Sequence, residues 1–298
     1  MKGIKVLSLF DGISCGMVAL ERAGIYVEKY VAYEIDKYAI KVSETNYPHI
    51  EHCGDVFHAD FTKYQGYDLL IGGSPCTYWS IAKWAGTRET TATGIGWDLF
   101  SQYVRALRES KCRYFLYENN ASMSDDIKQC ITRCLGCAPV EIDSADFSAQ
   151  KRKRLYWTNI PIAPWKKKDT LFIDIMDKEY NHSRSIEKYK NSIKWSKDNK
   201  TISWDTSGKQ YYSQANRAKV PDQKWNTVCA NRAESKGNVW LGNNIIRLVT
   251  MGELEKLQTL PVGYTACLNN KEQRGKCIGN GWTVDVIVHI FNGLKVLV

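Results

Sequence analysis

Residues 5–34 read KVLSLFDGISCGMVALERAGIYVEKYVAYE, and their reading decides the fold. KVLSLF is an apolar run of strand length. GMVALERAG carries helical spacing, and KYVAYE is a second strand. Outward from this unit the alternation continues. DKYAIKVSETN reads as a helix and DLLIGG as a strand; DLFSQYVRALRES is an amphipathic helix with Leu99, Tyr103, Ala106 and Leu107 inward; RYFLYE and APVEIDSADF are further strands. Strands alternating with helices predict an α/β fold, a Rossmann-like, mostly parallel, doubly wound sheet covered on both faces. Ligands of such sheets bind beyond the carboxyl ends of the strands.

After residue 160 the character changes. The chain becomes rich in Lys, Asn, Ser, Trp and Tyr, with weak periodicity. The expected division is a catalytic and cofactor-binding domain over 1–160, completed by 272–298. Residues 161–271 are expected to form a smaller, irregular region and its return. Lys166, Lys167 and Lys168 are a solvated charge run that could also contact phosphates. Regular helices return in TMGELEKLQTL and TVDVIVHIFNGL.

Composition narrows the class. Lys plus Arg number 41 against 32 Asp plus Glu, a formal charge of +9, which suits an anionic partner such as nucleic acid. Ten cysteines would imply disulfides in a short secreted chain, but MKGIKVLSLFDG lacks a secretory h-region, so reduced thiols in a cytoplasm are expected. No run of about 18 apolar residues is present, so no membrane span is predicted.

The chemistry begins at SLFDGISCG, where a strand runs into a Gly-containing loop and then a helix, presenting backbone N–H groups to a ligand. Glu34 ends the next strand, where a carboxylate can hold a ribose diol. Gly54-Asp55-Val56 offers a third acidic contact, suited to an adenine amino group. Together these point to a nucleoside-type ligand. IGGSPCTYWS (71–80) then places Cys76 behind a proline at a strand end. By position alone it is either a small packing residue at a bend or a nucleophile. Glu118-Asn119 closes RYFLY at the same sheet edge. Gln150-Lys151-Arg152-Lys153-Arg154 opens a further strand, and period two puts Arg152 and Arg154 on one face. A cation beside a thiol favours the thiolate.

The ordered motifs SLFDGISCG, YEID, GDV, GGSPC, YEN, QKRKR, RLVTMGELEKLQTLP and GNGWTV resemble the DNA (cytosine-5)-methyltransferases over nearly the whole chain. The de novo eukaryotic branch and its phage and bacterial relatives look most similar. The resemblance implies S-adenosylmethionine as cofactor and double-stranded DNA as partner. It implies Cys76 as the nucleophile at cytosine C6, Glu118 as the acid at N3, Asn119 fixing Glu118, and Arg152 and Arg154 holding the base carbonyl and a phosphate. Cofactor contacts carried over are Phe10, Asp11, Gly12, Ile13, Glu34, Ile35, Asp55, Val56, Gly73, Pro75, Asn280 and Trp282. Ser80, Lys83, Arg88, Gln150, Lys166 and Lys167 are expected at DNA, with Thr77 to Trp97 as a closing loop over a flipped base. No metal is expected. The oligomeric state is monomer or homodimer.

Two departures stand out. The family's Glu-Asn-Val is Glu118-Asn119-Asn120 here, and Asn280 stands where the de novo branch has a basic residue. Neither removes a reacting group. The Glu34-Ile35-Asp36 and Asn46-Tyr47-Pro48 stretches look prokaryotic, and the length leaves no space for reader domains, so a cytoplasmic bacterial or phage enzyme of the restriction–modification type is expected. Three rivals remain. The C-x3-C-x2-C spacing of Cys130, Cys134 and Cys137 suits a radical S-adenosylmethionine cluster, though one helical face of core cysteines is the expected reading. The others are an idle DNA-binding module and the family's tRNA-directed branch, whose Cys-Phe-Thr signature is lacking.

Overall fold

The computed structural model describes residues 3–80, 88–180, 182–207, 216–230 and 237–298. They form two compact units, the first made of Met1–Ser144, Lys153–Lys166 and Val284–Val298. Its seven strands are β1 (Ile4–Leu9), β2 (Val27–Tyr33), β3 (Glu51–His52), β4 (Leu69–Gly72), β5 (Tyr114–Asn120), β6 (Val140–Asp143) and β7 (Lys153–Thr158). They lie in the order β3-β2-β1-β4-β5-β7-β6. The first five pair in parallel, while β7 runs antiparallel to both β5 and β6. The predicted mostly parallel α/β sheet is therefore the observed one.

Hydrophobicity explains the strands. Leu69, Leu70 and Ile71 of β4 are wholly buried, the continuous apolar run that a sheet covered on both faces requires. The covering helices are α1 (Cys15–Arg22), α2 (Lys37–Asn46), α3 (Ile95–Ser110), α4 (Asp125–Leu135) and a closing helix, Val284–Lys295. Helix α4 is fixed at both ends: the Ser124 hydroxyl accepts from the Ile127 amide, Asp125 and Asp126 occupy the first turn, and Gly136 ends it in the left-handed conformation. The chain steps from β1 out to β2 and β3, then returns to β4 on the other side of β1. That reversal creates a crevice beyond the carboxyl ends of β1 and β4.

Two expectations about helix faces are corrected. On α3 Tyr103 and Ala106 are buried as expected and Leu107 packs, partly buried, against the core, but Phe100, Val104 and Ser110 are buried as well and Leu99 is only partly covered. On α4 the apolar face is Ile127, Ile131 and Leu135, a clean four-residue step that Cys130 and Cys134 miss. Cys134 is exposed, and Cys137 lies past the helix end. The core-cysteine reading fails for Cys130 and Cys134, because isoleucine and leucine at the neighbouring phase bury more apolar area, whereas half-buried Cys137 packs against the core. Among the described residues no group of acids, histidines and cysteines is arranged to hold a metal, and no helix is long and apolar enough to cross a membrane.

The second unit comprises Ala145–Arg152 and Lys167–Thr283. It is not irregular. Strands β8 (Ser183–Ser185), β9 (Lys194–Trp195), β10 (Thr201–Ser203), β11 (Arg217–Lys219), β12 (Asn238–Trp240) and β13 (Ile245–Leu248) form a sheet ordered β8-β13-β12-β11-β10-β9, and α5 (Phe172–Ile175), α6 (Met251–Leu257) and α7 (Lys271–Asn280) accompany it. Strands of two to four residues are too short to display alternation, which is why the sequence looks aperiodic there. One apolar cluster gathers Ile186, Ile202, Trp204, Ala218 and Ile246. The other includes Phe172 stacked on Trp225 at 4.2 Å. Residues 272–283, grouped with the catalytic portion on sequence grounds, belong by contacts to this unit.

Candidate active site

The loop after β1 is built around Asp11. Its carboxylate accepts from three hydroxyls: Ser8 at 2.6 Å, Tyr30 at 2.6 Å and Ser14 at 2.5 Å. Asp11 therefore organises the loop with its own carboxylate largely committed. Phe10, Gly12 and Ser14 all take positive φ, at 56°, 60° and 58°. Beyond Gly12 there is open space where a side chain would begin, so its backbone is accessible to a ligand.

Glu34, at the end of β2, closes onto this loop. Its Oε2 accepts from the Gly12 amide at 2.8 Å, and its Oε1 accepts from the Ile35 and Asp36 amides, both at 2.8 Å. Each carboxylate oxygen can take two donors, so Oε2 keeps one acceptor site, which suits a hydroxyl of a ribose diol. Burial raises the Glu34 pKa, against the lowering effect of those amides. Ile35 stands beside it with 73% of its surface exposed, an apolar face of the kind an aromatic base covers. Asp55 caps the short 3₁₀ turn Val56–His58 through the Phe57 amide at 3.0 Å, and Val56 is buried beneath it. The residues present fit a nucleoside-bearing cofactor. The Ile13 side chain is buried.

Cys76 begins a 3₁₀ turn, Cys76–Tyr78, just past β4, with Pro75 exposed and Gly73 half-buried. In the parallel pairing of β4 with β5, Gly72 stands opposite Tyr117, so Cys76 and Glu118 leave adjacent strands at the same edge. Asn119 ties the two ends together. Its amide donates to the Ser74 carbonyl at 3.1 Å and to the Tyr117 hydroxyl at 3.1 Å, and the Tyr117 and Ser74 hydroxyls share a bond of 2.6 Å. Asn120 is accounted for: its amide groups donate to the Asn119 Oδ1 at 2.8 and 3.1 Å, while its own Oδ1 accepts from Ser122 at 2.8 Å. Sequence reasoning missed Ser74, Tyr117 and Asn120 as supports. The signal was there in polar side chains at positions that end up buried on all sides.

Arg154 and Glu118 meet. The guanidinium Nε lies 2.9 Å from the carboxylate, and both side chains are largely covered. Arg152 does not join them. Strand β7 starts only at Lys153, so period two does not extend to Arg152, which is 5% exposed and donates to the carbonyls of Val228, Gly279 and Gly281 at 2.9, 3.2 and 3.0 Å. Its guanidinium pins the turn on which exposed Asn280 and half-buried Trp282 sit. Gly279 is obligatory there, since a Cβ would lie 2.4 Å from the backbone of Cys229 and Ala230.

The expected DNA contacts scatter. Gln150 is fully buried; it donates to the Leu257 carbonyl and the Gln258 Oε1 at 3.0 Å each and accepts from the Val228 amide at 2.6 Å, which makes it a strut. Arg88 is likewise committed, donating to the carbonyls of Trp79 at 3.0 Å and Ser122 at 2.5 Å. Both corrections have one cause: a long polar side chain on a folded segment is worth most where it satisfies buried carbonyls. Ser80 is half-buried beside the Cys76 turn. Lys166 is exposed, and Lys167 is exposed with its ammonium 3.7 Å from Asp146. Lys83 lies outside the described residues, as does the 81–87 portion of the expected closing loop.

A doubly wound sheet with a saturated glycine loop and buried carboxylate after β1 and β2, and a thiol after β4, defines the S-adenosylmethionine-dependent methyltransferase fold class. A solved structure of that fold, the Dnmt2 methyltransferase of S. pombe, aligns over 99% of both chains with a TM-score of 0.67 at 15% identity, which speaks to the fold alone. The chain belongs to the C-5 cytosine-specific DNA methylase family, whose model matches residues 4–296. Among curated relatives, the orphan methyltransferase M.Rho11sI of Bacillus phage rho11s is 40% identical over 122 residues, covering 40% of this chain and 23% of the relative. The DNA (cytosine-5)-methyltransferase DRM2 of Arabidopsis thaliana is 35% identical over 127 residues, covering 37% of this chain and 20% of the relative. The matches thus span about a quarter or less of these relatives' lengths.

Proposed function

We propose that the chain transfers a methyl group from S-adenosylmethionine to C5 of a cytosine turned out of double-stranded DNA. The observation that carries this reading is the Asn119–Ser74 tie, which joins the Cys76 turn to the strand end bearing the Glu118–Arg154 pair. Cytosine C5 is a poor nucleophile. Addition of the Cys76 thiolate to C6 forms a C–S bond and pushes electron density onto C5, while Glu118 donates a hydrogen bond or proton at N3. Arg154 orients Glu118 and offers its remaining N–H groups to the base carbonyl. S-adenosylmethionine supplies the electrophilic methyl group on its sulfonium. Water or hydroxide then removes the C5 hydrogen, and the C–S bond breaks to release Cys76. Reaching these atoms costs a few kcal/mol of unstacking.

In this reading the glycine loop, Glu34, Ile35 and Asp55 hold the cofactor. The second unit reads the target sequence, and Lys166 and Lys167 meet phosphates. The host is a bacterial or phage-infected cell. Tritiated methyl transfer to DNA, with tRNA as the competing acceptor, tests it. Label entering DNA, and a denaturant-stable adduct on DNA carrying 5-fluorocytosine, is the expected result, because fluorine cannot leave C5 as a proton does. Label entering tRNA alone would move the chain to the tRNA-directed branch. No adduct would end the covalent mechanism.

A further inference from the structure

Two side chains outside every stretch assigned above are wired into the cofactor loop. Ser43, on α2, has its hydroxyl 2.5 Å from that of Ser14, and Nε2 of His52, on β3, is 3.1 Å from the Ser43 hydroxyl. The direction of this chain follows from proton bookkeeping. A carboxylate has no proton to give, so Ser14 spends its only hydroxyl proton on Asp11, at 2.5 Å. The Ser43 hydroxyl must then donate to Ser14, and the proton between His52 and Ser43 must come from Nε2. Nε2 is thereby the donating ring nitrogen, and Nδ1 is the buried one that finds no hydrogen-bond partner among the described residues. The relay His52→Ser43→Ser14→Asp11 has one polarity and ends at the loop.

The relay answers a local conflict. Ser14 is the N-cap of α1, yet its side chain makes no capping bond and its φ is 58°. Two further residues of the loop, Phe10 and Gly12, are also left-handed. Non-glycine residues in that region cost free energy and persist only where their surroundings over-determine them. The Ser14 hydroxyl is diverted from its ordinary capping duty to the Asp11 carboxylate, and Ser43 holds it there by occupying its acceptor side.

We propose that Ser43 and His52 are positioning residues for the cofactor: by locking the Ser14 hydroxyl onto Asp11 they keep the Phe10–Ser14 turn in the shape that presents the Gly12 backbone and Glu34 to S-adenosylmethionine. The inference rests on the reading that this loop binds S-adenosylmethionine. Without Ser43 or the His52 donor, the Ser14 hydroxyl is free to cap α1, Asp11 loses one of its three donors, and the turn relaxes. Cys76 and Glu118 hang from other strands and keep their places.

Calorimetric titration of the full chain with S-adenosylmethionine tests this, together with steady-state kinetics. Ser43→Ala and His52→Leu should each raise the cofactor Kd and KM about tenfold, the size of one lost charge-assisted hydrogen bond. kcat at saturating cofactor should not move. His52→Gln should return Kd to within about threefold of the parent, because the glutamine Nε2 offers an N–H near where the imidazole Nε2 stood. A merely structural role would lower the melting temperature and the active fraction while leaving Kd unchanged for what stays folded. Parent-like Kd values in both Ser43→Ala and His52→Leu, alongside a parent that binds, would overturn the inference alone. His52→Gln binding as weakly as His52→Leu would overturn the direction of the relay. A parent chain that binds no S-adenosylmethionine would overturn the underlying reading and the inference with it.

Discussion

The two sheets use charge in opposite ways. In the seven-stranded sheet the central strands β1 and β4 are mostly apolar, and the ionisable groups of the site gather at one edge: Glu34 just past β2, Glu118 near the end of β5 and Arg154 near the start of the antiparallel β7. Glu34 there keeps an acceptor site, and Arg154 keeps N–H groups beyond its bond to Glu118. In the second unit charge is buried and paired, although the Arg247 Nε finds no hydrogen-bond partner among the described residues. Arg247 and Glu253, 1% and 0% exposed at the side chain, are bidentate at 2.5 and 2.8 Å, and Glu253 also closes the capping box of α6 through the Thr250 amide. Glu255, fully buried, accepts from the Gly263 and Thr265 amides and from Arg274. Charge at the sheet edge with donors or acceptors to spare is available for chemistry, whereas charge paired inside a core holds architecture. Arg152 and Arg154, two residues apart, fall on the two sides of that divide.

The contrast breaks first, if it breaks, at Cys76. Cys76→Ala should cut methyl transfer by more than about 10⁴-fold, since removing a covalent nucleophile removes the reaction path. Cofactor affinity and melting temperature should stay near those of the parent. Residual turnover within about tenfold of the parent would show that the thiol only packs. On the paired side, Glu253→Gln strands a buried guanidinium and should cost about 3–5 kcal/mol of stability by urea denaturation. Loss below about 1 kcal/mol would mean that this buried charge is not structural.

The arginine pair sharpens the comparison. Arg152→Met takes the guanidinium donor from the carbonyls of Val228 and Gly279 and leaves that of Gly281 with Gln258 Nε2, and should cost about 2–4 kcal/mol, read by denaturation, with any loss of activity tracking the loss of folded protein. Arg154→Met should do the reverse: stability within about 1 kcal/mol, and kcat lowered by about 10²-fold because Glu118 is no longer oriented. If both variants lose stability alike and turnover alike, the division between the two arginines is false.

How much of this was legible follows from the same physics. The strand–helix alternation, the Cys76 and Glu118 strand ends and the Gly12–Glu34 loop are written in local runs long enough to carry a period. Helix phase was less legible: Leu99 fits an amphipathic stripe as well as Phe100 and Val104 do, and only packing chooses between them. The six short strands carry no readable period. Least legible were the destinations of long polar side chains. Gln150, Arg152 and Arg88 match a motif or a basic loop in sequence, yet each ends on backbone carbonyls of residues up to 129 places away, as with the Arg152–Gly281 bond. Ser43 and His52 carry no motif at all, and only the hydroxyl geometry reveals them.

Lys219 tests the boundary between buried and available charge with the smallest effect. It lies on β11, its ammonium donates to the Asn226 Oδ1 at 2.5 Å and stands 5.6 Å from the Trp225 ring centroid, so its near partners are neutral. Burial, and after it the like charge of Lys151, pulls its pKa down from 10.5 to about 8, with Asp198 acting weakly in the other direction. In the unfolded chain the ammonium recovers its ordinary value. Between pH 8 and 10.5 the unfolded state therefore holds a proton that the folded state has released, and stability contributed by this group rises with pH across that window. Below pH 8 both states are protonated, and the charged form costs folding free energy without any slope. Lys219→Met removes the group and should stabilise the chain modestly at pH 7, with the gap to the parent closing as the pH climbs towards 10. Urea midpoints of the two proteins measured at intervals across that range decide the matter. Parallel curves would mean that Lys219 keeps its proton in the folded chain, that it is solvated as an available cation, and that it belongs with exposed lysines such as Lys166 and Lys167 rather than with the buried charges of its own sheet.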